Sequence, residues 1–435
     1  MPSRESSLPV YISGIRCGTL FEDNHGALSF EYEQGYRGVP LSLSMPVGLA
    51  RFNDKTVRPY LMGLLPDDAE TRASIGGASG ISGENPFRML GLIGLDCPGA
   101  VQVCAESSQP PAQDGGDLKA LTDAEMERCL AALKENAASA WLGPKAEGHW
   151  SLGGCQAKIA LRYEGDKWYE CLGTSATTHI LKPGVTGYDN QALVEYLSMK
   201  IAEEIGLPVA RVAHLAFGQE RAIVVERYDR ARDERGDVVR IHQEDLCQAM
   251  GIYPTSKYAE QGGPTTPKII DLLKRTGPRA RENVYRFTLY LFFNYLIGAT
   301  DAHGKNHSLL HVAPDDIRIA PLYDVASMAP YRSLRPTQRK PLRAALSIGG
   351  ENRFGLVGSN QIDKMTRDCQ LEDLGLSSDL LKSRFKTMAT VIPQALEKVL
   401  GEARTQEDIE ILDTLGKTMC QEIGANCQRT LDRLA

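Results

Sequence analysis

Apolar and polar residues alternate between positions 9 and 32, with Val10, Ile12, Ile15, Leu20, Phe21, Leu28, Phe30 and Tyr32 marking the apolar side. A period of two puts successive side chains on opposite faces of a strand, so this stretch predicts a small β-sheet turning at Ser13-Gly14 and Asn24-His25-Gly26. The period lengthens to that of a helix over 60–65 and 67–74. It breaks in the glycine-rich run 76–83 and resumes near Pro86 to Gly91. Residues 1–106 therefore read as a compact α+β domain. Segment 107–118, opening SSQPPAQDGGD, disrupts both periods with Pro-Pro and Gly-Gly and reads as a linker.

Beyond it the pattern predicts a helix over 123–136, hairpin strands at 158–162 and 167–172, a strand at 179–182, a helix at 191–205 and a strand at 222–226. Residues 119–228 thus form a mixed sheet with one packed helix. From Glu244 onward most apolar positions recur at helical spacing, interrupted by Gly262-Gly263-Pro264 and by the region 299–330. Residues 229–435 are read as a largely helical domain.

The chain has 435 residues, 42% hydrophobic and 24% charged, which is long enough for two or three packed domains and too apolar for disorder. A net charge of −6 gives no global basic field, so DNA is expected to be met only through a partner. Ten cysteines without a CxxC pair fit reduced thiols in a cytoplasm. No apolar run reaches the length of a membrane span, so no membrane partner is expected.

The candidate chemistry centres on Asp301-Ala-His-Gly-Lys-Asn306, which follows an apolar helix over 287–298. An aspartate followed five positions later by an asparagine is the spacing of a kinase catalytic loop: the carboxylate accepts the proton of the substrate hydroxyl, and the amide oxygen binds magnesium. Alone the spacing is weak, since short loops rich in Asp, Gly and Asn are ordinary turns. Further parts occur in the order a kinase requires. Residues 317–322 read as a strand delivering Asp324 as a second oxygen ligand for Mg2+. Gly153 and Gly154 open a turn where backbone amides can approach phosphate. Lys182 ends a strand within reach of the α and β phosphates of ATP, Glu195 on the next helix can orient that lysine, and Glu226 to Tyr228 can offer backbone groups to adenine as a hinge. A competing pattern is the recurrence of His303, His307 and His311 every four residues, a metal-binding face if that stretch were helical.

The segments SLGGCQAKIAL (151–161), THILKP (178–183), VVERYDR (224–230), QEDLCQAMG (243–251), KYAEQGGP (257–264), LIGATDAHGKNHSLL (296–310) and PLYDVAS (321–327) resemble the HipA family of serine/threonine-protein kinase toxins. GLLPDDAETR (63–72) and GLDCPGAVQV (94–103) extend the resemblance over nearly the whole chain. It implies an α+β, two-lobed protein kinase-like fold with a small β-rich N-terminal subdomain and a mostly helical C-terminal lobe. The implied activity is ATP- and Mg2+-dependent phosphorylation of a protein, an aminoacyl-tRNA synthetase such as the glutamyl enzyme, which stalls translation and leads to growth arrest and persistence. The implied partner is a helix-turn-helix antitoxin, HipB, which would supply the DNA contact.

By the same resemblance Asp301 is the catalytic residue and Asn306 and Asp324 are the metal ligands. Gly153, Gly154, Cys155, Gln156, Ala157 and Lys158 form the phosphate-binding loop, and Lys182 is the phosphate-binding lysine. Glu226, Arg227 and Tyr228 form the hinge; His303, Gly304, Lys305, Asn306, Tyr323 and Asp324 border the nucleotide; Ser151 is the autophosphorylated serine. Position 157 is alanine where an acidic residue is common in the family, and Val194 stands where asparagine usually precedes the helix glutamate. Two other functions fit less of the pattern: a small-molecule phosphotransferase, and a catalytically idle co-repressor acting with an antitoxin.

Overall fold

The computed structural model describes residues 6–49, 51–77, 79–105, 111–139, 150–334, 342–404, 407 and 409–435. The chain folds as two compact units that interleave along the sequence. Met1–Gly187, Ala213–Lys257 and Ser308–Arg318 make the first, and Tyr188–Val212, Tyr258–His307 and Ile319–Ala435 the second.

The first unit opens with the predicted antiparallel sheet, in which β1 (Ser6–Ile12), β2 (Ile15–Glu22), β3 (Leu28–Tyr32) and β4 (Val101–Val103) lie in the order β3-β2-β1-β4. Helices α1 (Asp54–Leu64), α2 (Ala69–Gly77) and α3 (Pro86–Ile93) follow β3. The start of α3 is written locally: Pro86 occupies the first turn, where no N–H is needed, and the Asn85 side chain accepts from Arg88 N at 3.0 Å. The apolar faces of α1 and α3 close on the sheet around Leu20, Phe30, Met45, Tyr60, Leu64 and Leu90. Of the expected linker, residues 107–110 lie outside the described residues. Its described end is pinned, because Asp114 forms a buried ion pair with Arg162 at 2.7 Å.

A second sheet follows, formed by β5 (Leu118–Leu121), β6 (Ile159–Glu164), β7 (Lys167–Cys171), β8 (His179–Lys182), β9 (Val212–Phe217) and β10 (Glu220–Glu226) in the order β5-β7-β6-β8-β10-β9. Helix α4 (Asp123–Glu135), begun by a reciprocal Thr122–Glu125 capping box, packs Met126, Leu130 and Leu133 onto it beside Leu161, Leu181 and Val224. Five short strands complete the unit: β11 (Arg230–Arg232) pairs with β12 (Val238–Arg240), and β13 (His242–Asp245), β14 (Ser308–Ala313) and β15 (Asp316–Ile319) form a three-stranded sheet. The strands at 212–217, 230–232, 238–240 and 242–245 are absent from the sequence reading. Each is short; β9 and β11 pair with the strand that follows them, whereas β13 pairs with the distant β14.

The second unit is helical, as expected, with α5 (Gln191–Glu204), α6 (Thr266–Lys274), α7 (Ala280–Leu296), α8 (Ser359–Asp368), α9 (Ser378–Ala403) and α10 (Ile409–Leu434). Its hub is α7, buried on most sides through Phe287, Tyr290, Leu291, Phe292, Phe293, Tyr295 and Leu296, with Phe292 against Phe385 of α9 at 4.4 Å between ring centres. A hairpin of β16 (Arg343–Ile348) and β17 (Glu351–Arg353) interrupts the helical run, which the sequence reading did not anticipate. Among the described residues no helix is long and apolar enough to cross a membrane.

Candidate active site

The resemblance-derived residues fall into two groups, one in each unit. In the second unit, α7 ends at Leu296 and the chain turns through Gly298, which holds φ +74°, a conformation only glycine adopts without strain. Asp301 follows with an exposed carboxylate. Its own carbonyl is the fastening point of the loop: His303 N–H donates to it at 2.8 Å and the Asn306 side-chain amide at 2.8 Å. Because Nδ2 of Asn306 is spent on that carbonyl, its Oδ1 is left as the acceptor for a cation. The Tyr258 hydroxyl donates to the Asp301 carboxylate, and the same ring meets His303 edge-on at 4.9 Å. Tyr323 O–H donates to Lys305 O at 2.7 Å, tying the Asp324 segment to this loop.

Asp324 does not end a strand, a correction to the sequence reading. β15 stops at Ile319, and Leu322 forms a single parallel bridge with Val209. Asp324 then takes φ +56°, a left-handed conformation that is rare outside glycine and asparagine. The three histidines do not share a helical face either. His303 opens a single 3-10 turn (Gly304–Asn306), while His311 lies in β14 and hydrogen-bonds Glu244 at 2.8 Å. His307, between Phe287 and Tyr290, is pushed down to about 3 by burial and by the neighbouring His303.

In the first unit, the strand neighbours β6, β8 and β10 carry the loop, the lysine and the hinge. The register Ile159↔Leu181 brings Lys158, one residue upstream, beside Lys182 at the end of β8, and both side chains are buried. Lys158 Nζ donates to Gly153 O at 2.8 Å across the loop, and Gly154 sits at φ +99°. Cys155 is exposed, while Gln156 and Ala157 complete the turn into β6. The loop is seated on the N-terminal sheet domain. Ser151 is fully buried, its hydroxyl donating to Leu64 O at 2.6 Å and its N–H to Asp96 O at 3.0 Å. Gly154 N–H donates to Asp67 Oδ1 at 3.2 Å, and Asp67 N–H returns a bond to Gly154 O at 3.2 Å.

At the hinge, Glu226 pairs with His179 and Arg227 N–H donates to Thr178 O at 2.8 Å. The Arg227 guanidinium turns inward, to Asp229 at 2.9 Å and Asp96 at 3.2 Å, and its carbonyl accepts from Arg230 N–H at 3.1 Å. Arg230 and Arg240 also reach Asp96, each at 2.8 Å. Burial raises the Asp96 carboxyl, yet the three guanidiniums outweigh it and hold Asp96 well below the usual carboxylate range. Tyr228 is oriented by its hydroxyl, which donates to Gln243 Oε1 at 2.6 Å. Glu195 is buried on α5 of the second unit, with Gln191 Nε2 3.4 Å from its carboxylate.

Three residues with evident roles here escaped the sequence reading: Tyr258, Asp67 and Asp96. All three stand in segments that carried the family resemblance, KYAEQGGP, GLLPDDAETR and GLDCPGAVQV, but a lone tyrosine or aspartate in a loop has no periodic signature.

The family model for the HipA-like C-terminal domain matches residues 150–397, and that for the HipA N-terminal domain matches residues 8–104. The chain belongs to the HipA family. It is 34% identical over 413 residues to the putative kinase Y4mE of Sinorhizobium fredii, covering 91% of this chain and 92% of that protein. It is 27% identical over 417 residues to the serine/threonine-protein kinase toxin HipA of Shewanella oneidensis, covering 91% and 89%. Among solved structures, the complex of Shewanella oneidensis HipA with HipB and its operator DNA matches with a TM-score of 0.80 at 25% identity, over 98% of this chain and 97% of that one. The fold is therefore that of the HipA kinases, α+β and two-lobed, with a β-rich N-terminal subdomain and a helical C-terminal lobe.

Proposed function

We propose that this HipA-family chain is a serine/threonine-protein kinase toxin that uses ATP and Mg2+ to phosphorylate a protein hydroxyl, with a HipB-like antitoxin as its partner and its only link to DNA. The observation that carries this reading is the Asp301–Asn306 loop, in which one carbonyl fastens the turn while a carboxylate and an amide oxygen are left for chemistry. The Asp301 carboxylate accepts the proton of the attacking hydroxyl and is oriented by the Tyr258 O–H. Asn306 Oδ1 and the Asp324 carboxylate are hard oxygen donors of the kind Mg2+ prefers, and would hold it. Bound there, the ion neutralises charge on the transferring phosphoryl group. Lys182 meets the α and β phosphates, with Glu195 as its orienting carboxylate, and the amides of 153–158 approach the remaining phosphate oxygens. The Glu226–Tyr228 backbone receives adenine, while His303, Gly304, Lys305 and Tyr323 border the nucleotide.

The substrate is an aminoacyl-tRNA synthetase such as the glutamyl enzyme, on the strength of the family resemblance, and its modification stops translation and arrests growth. Autophosphorylation at Ser151 is inhibitory. That hydroxyl has no solvent access and is bonded to Leu64 O, so a phosphate with close to two negative charges has no room in the seat and must carry the loop out of it.

The deciding experiment is peptide-level mass spectrometry of the wild type and of Asp301→Asn after incubation with ATP and Mg2+. Phosphate on Ser151 in the wild type, with transfer lowered on the order of 10²–10⁴-fold in the variant at unchanged melting temperature, is the expected result. No phosphate in either protein, and no thermal shift with ATP and Mg2+, would replace this reading by that of an idle co-repressor.

A further inference from the structure

Tyr258 makes the contact that the substrate of a kinase has to make. Phosphoryl transfer starts from a hydroxyl that donates to the catalytic aspartate, because that carboxylate takes the proton as the oxygen attacks. In the second unit an O–H that donates to the Asp301 carboxylate belongs to the chain itself, on Tyr258. The Asp301 side chain is 66% exposed, so burial of the carboxylate does not force that contact.

The tyrosine is held in place from two sides. Its carbonyl accepts from Gln261 N–H and from Gly263 N–H, each at 3.0 Å, and the turn so formed passes through Gly262 at φ +86°. Its ring meets His303 edge-on at 4.9 Å between centres, and His303 N–H is itself fastened to Asp301 O at 2.8 Å. A hydroxyl fixed against its base has already given up the freedom that a separate substrate loses on binding, which is worth effective concentrations of roughly 10⁵–10⁸ M in well-oriented intramolecular reactions. Ser151, in the first unit, is the opposite case: its hydroxyl is fully buried and donates to Leu64 O, so it must leave its seat before any base can take its proton.

Resting on the phosphoryl transfer set out above, we propose that Tyr258 is itself an autophosphorylation site, modified on its phenolic oxygen by the Asp301 loop of the same chain. The bond from Tyr258 Oη to the γ phosphorus of ATP forms as the bond from that phosphorus to the β–γ bridging oxygen breaks. ADP leaves with the electron pair of the broken bond, and the phenolic proton passes to the Asp301 carboxylate. Tyrosine thereby joins serine among the hydroxyls this chain modifies.

The test is quantitative peptide mass spectrometry of the full chain incubated with ATP and Mg2+ at protein concentrations spanning about a hundredfold, beside a measurement on the nucleotide-free protein. Phosphate is expected on Tyr258 with a first-order rate constant that does not change over that range, since acceptor and base belong to one chain. Asp301→Asn should lower that rate on the order of 10²–10⁴-fold. Tyr258→Phe should lose this phosphate and still be modified on Ser151. Without nucleotide, the fluorine NMR resonance of a fluorotyrosine placed at position 258 should shift on Asp301→Ala, which removes the carboxylate the hydroxyl donates to. Phosphate on Ser151 with Tyr258 unmodified is what a tyrosine that only orients Asp301 would give; it would overturn the assignment and leave the kinase reading standing. A rate constant rising in proportion to protein concentration, or a fluorine resonance indifferent to Asp301→Ala, would overturn it in the same way. Phosphate on no residue would remove both.

Discussion

The two groups of candidate residues, one in each unit, are held by opposite means. In the first unit the expected hinge, 226–228, and the expected phosphate-binding loop, 153–158, rest on buried charge: Asp96 receives Arg227, Arg230 and Arg240, and Asp67 bonds the loop amide of Gly154. In the second unit the Asp301–Asn306 loop, the candidate catalytic loop, hangs from α7, whose aromatic side chains are buried on most sides, and is closed by two hydrogen bonds to a single carbonyl. Apolar packing degrades gradually when one contact is trimmed. A buried charge deprived of its partner keeps its full desolvation cost. The first unit should therefore be the brittle half and the second the tolerant one.

The largest expected break in that comparison is Asp96→Ala, which takes the shared carboxylate from three buried guanidiniums and leaves Arg240 without an ion pair among the described residues, while Arg227 and Arg230 keep Asp229. It should cost about 3–5 kcal/mol and appear as loss of the first unit's unfolding transition in calorimetry. Phe292→Ala should cost a comparable 3–5 kcal/mol in the second unit, whereas the milder Phe292→Leu should cost far less. No equally mild change exists at Asp96, since Asp96→Asn already removes the charge. A loss at Asp96→Asn no greater than at Phe292→Leu would sink the distinction.

Acidification should weaken both units, because each holds a buried histidine with a depressed pKa, His307 in the second and His242 in the first. His242, in the first unit, is pushed down to about 3 by burial and by the neighbouring His311, and its Nε2 lies 3.0 Å from Leu41 O. A histidine with a depressed folded pKa contributes its stability above the unfolded value near 6.5 and loses it as pH falls toward the folded value, because the unfolded chain then binds the extra proton. From pH 8 to pH 5 this amounts to about 2 kcal/mol, and denaturant titrations of His242→Gln should show a correspondingly shallower decline. The smallest effect belongs to the catalytic loop. Tyr258→Phe removes one hydrogen bond to the exposed Asp301 carboxylate and should slow ATP-dependent phosphorylation roughly two- to tenfold, read in kcat, with no change in melting temperature.

How much of this was legible in the sequence follows the same division. Strand alternation in β1–β3, the helical period of α4 and the apolar run of α7 are signals spread over neighbouring residues; the first two elements formed where the pattern predicted, while α7 begins at Ala280, ahead of the expected 287–298. The expected strand over 317–322 broke early because its last residues serve a bridge to Val209 and a left-handed turn at Asp324, neither of which leaves a mark on local periodicity. Likewise Asp96 is separated from Arg227, Arg230 and Arg240 by more than a hundred residues, and no spacing rule connects them.

The sequence by itself determined the class of the chain. Its periods specify strands and helices through backbone geometry, and its motifs, in order, carry the resemblance to the HipA family. Only the tertiary structure decided which of those residues are seated, buried or turned outward. It placed Ser151 under Leu64, took the Arg227 guanidinium away from the hinge and set Tyr258 on Asp301. These outcomes depend on desolvation and on partners distant in the chain, and both are properties of packed three-dimensional contact rather than of local order along the sequence.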